Sequence, residues 1–140
     1  MRFSRLVLLM LVLVAGCTSA QAPVNVETGG TTNPTSDTAA VRITSSGFSP
    51  KTITVTPGTT VTWTNDDTAA HWVASNVHPT HTVYPGSGIG KCDTAQEPAI
   101  FDACKNIPAG GTYAFTFTEK GTWGYHDHLN AGTTGTVVVQ

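Results

Sequence analysis

Period-two alternation is the feature that most limits what this chain can fold into. Thr59–Asn65 sets Val61 and Trp63 on one side and threonines on the other. Thr112–Thr118 does the same with Tyr113, Phe115 and Phe117. Alternation of this kind is the mark of strands buried on one face, because successive side chains in an extended chain point opposite ways. Shorter runs repeat it: Val41–Ser45, Thr52–Val55, His71–Ala74, Gly121–His128 and Gly135–Gln140. Turn signals such as Ser49-Pro50, Pro57-Gly58 and Asn65-Asp66-Asp67 separate them. Abundant threonine and valine, with 14 Gly and 8 Pro, agree with an all-β chain. The expected fold is a Greek-key β-sandwich of about seven to eight strands over residues 41–140, with the strands read as antiparallel. About 100 residues suffice for one modest core.

Charge narrows the functional classes. The chain has 140 residues, 7 Lys and Arg, 9 Asp and Glu, and a formal net charge of −2. A nucleic-acid binder would carry a basic surface, so that class is excluded.

The first residues read as an address. Arg2 and Arg5 precede an apolar run from Leu6 to Ala15, too short to span a bilayer and of h-region length. Val14-Ala15-Gly16-Cys17 resembles a bacterial lipobox, which implies cleavage before Cys17 and lipidation of its thiol. Residues 1–16 are therefore expected to be a signal peptide. Two of the seven basic residues go with it, leaving five against nine acidic ones. Residues 17–40 would be a lipidated Cys and a flexible tether, since Thr, Gly, Ala, Ser, Pro and Asn bury too little surface to offset ordering entropy. The domain is expected outside the cytoplasm, in the cell envelope, held to a membrane through the lipid anchor alone.

Residues 75–108 form a long irregular stretch, and a loop of that size in a small domain is usually functional. It holds Cys92 and Cys104. In an exported protein the expectation is a disulfide, worth about 3 kcal/mol for a loop of this size. A thiolate metal ligand is the alternative.

All five histidines, His71, His78, His81, His126 and His128, fall in the β domain. The chain has no Gly-rich phosphate loop, no H-E-x-x-H and no Ser-His-Asp sequence context. His78-Pro79-Thr80-His81 suits a turn that presents two imidazoles. Tyr125-His126-Asp127-His128 ends a strand. Strict alternation puts Trp123, Tyr125 and Asp127 on the core face, and His126 and His128 on the other, toward solvent or a partner.

Gly47-Phe48-Ser49-Pro50-Lys51-Thr52-Ile53-Thr54-Val55, Pro57 to Asn65, Gly121-Thr122-Trp123-Gly124-Tyr125 and Gly135-Thr136-Val137-Val138-Val139 together resemble a cupredoxin of the plastocyanin/amicyanin kind. The resemblance implies a copper-binding β-sandwich with His71 at the first ligand position. The ligand loop departs from the pattern: Asp127 stands in place of Cys, Asn130 in place of the second His, and Thr133 in place of Met. A blue-copper site needs the thiolate, so no blue chromophore is expected. The segment Gly121 to His128 is instead similar to the G-T-x-W-Y-H-[SD]-H segment of multicopper oxidases, and His71-Trp72 to the start of their H-W-H-G, with Val73 replacing the second His. In that family paired histidines bind copper between domains, and one domain cannot complete such a site.

Two site models follow. In one, copper is held by His71 and Asp127 with one or two of His78, His81, His126 and His128. In the other, His126 and His128 form an outward pair completed by the loop or a second molecule. Imidazole and carboxylate suit one Cu(II), and Zn(II) would also bind. The expected function is an exported, anchored copper-binding protein for binding, delivery or sensing, with a redox or copper-accepting protein as partner. Electron transfer and a metal-free interaction module are the alternatives. A small copper oxidoreductase is the minor reading, because nothing marks a substrate pocket. Trp63, Trp72 and Trp123 are read as core, and Tyr84, in the Thr82-Val83-Tyr84-Pro85 stretch, is a candidate cover for the site.

Overall fold

The computed structural model describes residues 37–140. The signal-peptide and lipidation readings, Cys17 included, lie outside the described residues. Eight strands make two four-stranded sheets, ordered β2-β1-β4-β6 and β3-β8-β7-β5. They are β1 (Thr38–Thr44), β2 (Gly47–Ser49), β3 (Thr52–Val55), β4 (Thr59–Asn65), β5 (Val73–Ser75), β6 (Thr112–Phe117), β7 (Gly121–Asp127) and β8 (Asn130–Val139). Two 3-10 turns, Ile89–Lys91 and Glu97–Ala99, are the only helical pieces among the described residues.

The fold is the all-β sandwich that the alternation calls for, with one correction. The strands are not all antiparallel: β1 pairs β4 in parallel and β3 pairs β8 in parallel. The chain crosses from one sheet to the other between β2 and β3 and again between β3 and β4. Strand β1 also starts at Thr38, inside the stretch read as tether, because Thr38–Ala40 lie against Thr60–Thr62. Strand β2 was not foreseen; three residues are too few to show a period.

The core lies between the sheets. Val41 and Ile43 of β1, Val61 and Trp63 of β4, Phe117 of β6, Tyr125 of β7 and Val137 of β8 are all fully buried. Trp63 sits at the centre, with ring centroids of Phe101 and Tyr125 each at 5.4 Å. Gly135 of β8 makes room for Tyr125: a Cβ there would come within 2.3 Å of the phenol ring.

The loop over residues 76–111 is bound to the second sheet by its own backbone. Ser75 N–H donates to Phe101 O at 2.9 Å, and Ala103 N–H to Val73 O at 2.9 Å. His71 and Ile107 exchange both backbone bonds, at 3.2 and 2.7 Å. Residues 101–107 thus run along β5 and close its open edge. Phe101 anchors them in the core, a burial worth about 1.5–3 kcal/mol. Tyr84 does not fold over the histidines. It is buried among Phe101, Phe115, Phe117 and Trp123 and belongs to the core.

Candidate metal centre

The end of β7 carries chemistry on both faces. Asp127 lies on the face of Tyr125, as the period-two reading expects, and meets His71 there. His71 Nδ1 is 2.8 Å from Asp127 Oδ2, and His71 Nε2 is 3.3 Å from Asp67 Oδ2. The other Asp127 oxygen accepts the backbone N–H groups of Trp72 at 2.8 Å and Leu129 at 3.1 Å. Asp127 therefore fastens the turn after β7 to the segment before β5. Both ring nitrogens of His71 and both oxygens of Asp127 are engaged.

The opposite face holds the histidine cluster. His78, His81, His126 and His128 each offer one ring nitrogen, and these four atoms lie within 4.8 Å of one another. His71 and Asp127 are not members. The cluster joins the His126 and His128 pair of the second site model to His78 and His81 of the chain's own loop. One part of the expectation is corrected: the pair does not face solvent. His126 is 1% exposed, with the loop's His78 and His81 rings packed at 5.4 and 5.0 Å from its own. The alternation rule reports which face a side chain takes, not whether another segment later covers that face.

Each imidazole is placed by a different local device. His126 sits in β7 opposite Ala74 of β5. Its Nδ1 is 3.1 Å from Asn76 Oδ1, so the ring proton is on Nδ1 and the lone pair on Nε2. That buried Nε2 has no hydrogen-bond partner. Gly124 allows the arrangement, since a Cβ there would come within 2.6 Å of Asn76 Nδ2. His81, fully buried, is carried by the turn of residues 77–81, whose closing bond is His81 N–H to Val77 O at 2.7 Å. Its φ of 58° lies in the left-handed region, uncommon for a residue with a Cβ. Its Nδ1 is 2.5 Å from Asp102 Oδ2, which again leaves the lone pair on Nε2. His128 follows the turn; its N–H donates to Trp72 O at 2.7 Å and its ring lies 4.5 Å from the Trp72 ring. His128 Nδ1 is 2.9 Å from His81 Nε2, so one proton lies between them. His78 is exposed on the loop, with its ring 4.8 Å from that of His128.

Burial disfavours the charged form of two of these rings, His126 and His128. Burial, helped by the neighbouring imidazoles, lowers His126 to about 4. Burial and the same neighbours lower His128. Burial pushes Asp102 up, but hydrogen bonds from His81, Trp72 Nε1 and the Cys104 backbone N–H outweigh it and hold the carboxyl below its ordinary value. A buried, 2% exposed carboxylate is thus kept ionised beside His81.

Asn76 and Asp102 bond two of the clustered histidines and were missed by the sequence reading. Their partners are 50 and 21 positions away, and no local motif encodes such contacts. Trp72, read as core, also belongs here, since it bonds Asp102 and its ring lies tilted against that of His128. Cys92 and Cys104 form the expected disulfide, with Cα atoms 5.3 Å apart. Neither thiol is free to ligate.

The model of the copper-binding proteins of the plastocyanin/azurin family matches residues 36–140. The chain belongs to that family. Among solved structures it is similar to the novel purple cupredoxin from Nitrosopumilus maritimus, at 23% identity and a TM-score of 0.56, covering 73% of this chain and 99% of that one. It is also similar to amicyanin from Paracoccus versutus, at 22% identity and a TM-score of 0.52, covering 74% and 82%. An oxidized amicyanin variant gives 26% identity, a TM-score of 0.53, and coverage of 73% and 81%. These likenesses place the cupredoxin fold.

The donor set fits the family's metal class. Four imidazoles within reach of one point, three of them buried or half-buried and one with a bare Nε2, are a Cu(II) or Zn(II) donor set. A buried polar atom without a partner is costly in a protein that never fills it. This cupredoxin therefore carries a His-rich candidate metal site, made of residues other than the family's thiolate pattern.

Proposed function

We propose that this protein is an exported, lipid-anchored copper-binding protein whose centre is a non-blue site of His78, His81, His126 and His128. The observation that carries the reading is the bare, buried Nε2 of His126 facing three further imidazoles. Asn76 and Asp102 would fix the tautomers of His126 and His81, so that the lone pairs meet. Bound copper would supply a Lewis-acidic cation that can cycle between two oxidation states. The chain's own part is to hold neutral nitrogen donors in place and to keep water from most of them. An all-imidazole site lacks the thiolate that tunes fast one-electron exchange, which favours copper binding, delivery or sensing over electron shuttling. Residues 1–16 as a signal peptide, Cys17 as the lipidated residue and a copper-accepting protein as partner complete the proposal.

The test is a Cu(II) titration of the protein followed by optical and EPR spectra. One tightly bound copper with weak d–d absorption, a large hyperfine splitting and nitrogen couplings is expected. An intense thiolate-to-copper band would reject the site and restore electron transfer. No stoichiometric binding would leave a cupredoxin-shaped interaction module.

A further inference from the structure

The four histidines are not held alike. His126 is bonded to Asn76, His81 to Asp102, and His128 is fixed by Trp72 and by His81 itself. His81 and His126 are buried and His128 half-buried. Among the described residues, His78 is the only one of the four with no side-chain hydrogen bond, and it is exposed. Its neighbours Val77 and Pro79 are exposed too, with Val77 at 56%. Three donors therefore have supporting partners, His126 on β7, His128 in the turn after it and His81 buried within the loop, and the fourth rests on the exposed rim of that loop.

We propose that the position filled by His78 is an exchangeable coordination site, open to an external nitrogen donor of the imidazole type while His81, His126 and His128 keep the metal. The inference rests on the four-histidine reading above. Its physical basis is preorganisation: a donor whose other ring nitrogen is held by a hydrogen bond returns to the metal after each fluctuation, whereas an unsupported one competes on equal terms with donors from solution. Replacement at one open position is also how a bound metal first meets a second ligand set. No covalent or redox step is involved; one lone pair takes the place of another.

The experiment uses the full chain loaded with Cu(II), with His78→Ala and His126→Ala compared by competition titration and EPR. His78→Ala should still bind one Cu(II), weakened by no more than about tenfold, the low end of what loss of a supporting partner costs. Added imidazole should restore the wild-type nitrogen coupling pattern in this variant. His126→Ala should lose more than about 100-fold, beyond the range typical of supporting partners, with no rescue by imidazole. Because His126 is buried, His81→Gln serves as a second variant, and circular dichroism of both metal-free variants reports whether they fold. If His78→Ala loses copper as completely as the folded variants of the buried histidines, or binds it without responding to imidazole, the exchange site is wrong while the four-histidine site stands. If the wild type binds no Cu(II), both readings fall.

Discussion

The two faces of the end of β7 set imidazoles in opposite conditions. On the core face, His71 has a carboxylate oxygen at each ring nitrogen. On the covered outer face, four imidazoles converge, one nitrogen is bare, and the one carboxylate in reach, Asp102, grips a nitrogen that points away from the cluster. The contrast teaches that residue type does not make a ligand. A nitrogen is best prepared for a metal when a hydrogen bond fixes the ring's other nitrogen and its own lone pair is left free. His71 fails the second condition, although it stands where the family resemblance puts a ligand. His126 meets both.

The sharpest way to break this comparison is to delete one residue from each face. His126→Ala should remove Cu(II) affinity by more than about 100-fold. Asp127→Asn should leave the affinity and the hyperfine pattern close to wild type, and lower stability instead by about 1–3 kcal/mol, the cost of a poorly satisfied buried group. Isothermal titration with Cu(II), paired with urea unfolding, separates the two outcomes. A large affinity loss in Asp127→Asn would move the metal back to the core face and favour the His71 and Asp127 model.

The loop that covers the outer face depends on the Cys92–Cys104 bond. Replacing both cysteines with serine should cost about 3 kcal/mol in the chain-entropy model. The core face should be less disturbed, because Val41, Trp63 and Tyr125 are strand residues and Phe101 is the loop's main contact with the two rings. Hydrogen exchange should show the loss in residues 76–107 before β1 and β4. Uniform loss across both sheets would mean that the loop is no separate lid on the histidines.

Much of this was legible in the sequence. Alternation in β4, β6 and β7 marks the sandwich, and parity assigns Asp127 and His126 to opposite faces. The five histidines and the two cysteines are visible as types. Burial of His126 was not legible, because it depends on how residues 76–104 fold back over β7. Asn76 and Asp102 were hidden for a related reason: their roles arise from contacts across the loop, and neither residue type is diagnostic by itself. Parallel pairing of β1 with β4 was hidden as well, since a strand's pattern shows its buried face and not its neighbour.

A finer test of the outer face is Asp102→Asn. The carboxylate accepts from His81 on one oxygen and from Trp72 Nε1 and the Cys104 N–H on the other. An amide has one oxygen and must turn an N–H toward one of these donors. Copper affinity should fall by about 10–100-fold, and the nitrogen couplings should change with it. Affinity loss with an unchanged spectrum would mean that Asp102 acts on stability alone.

The smallest expected effect is on pH dependence, and it tests whether the outer face keeps its rings neutral. In the folded, metal-free protein His126 is lowered to about 4, from an ordinary value of 6.5, mainly by burial. The unfolded chain therefore takes up a proton near 6.5 and the folded one does not until about 4. Between those values the unfolded state binds more protons, so stability should rise with pH across that window and fall as pH drops through it. His128, lowered for the same reasons, adds to the same sign. Above 6.5 neither ring contributes a slope. Urea unfolding of the metal-free protein at several pH values from 4 to 6.5 gives the measurement. His126→Gln should flatten the curve, since glutamine does not titrate. Loading with Cu(II) should steepen it, because the metal needs the free lone pairs that protons take, including the one between His81 and His128. A flat metal-free curve in this window would mean that His126 takes its proton near the ordinary value, as a ring facing solvent would, and the contrast between the two faces of β7 would lose its electrostatic half.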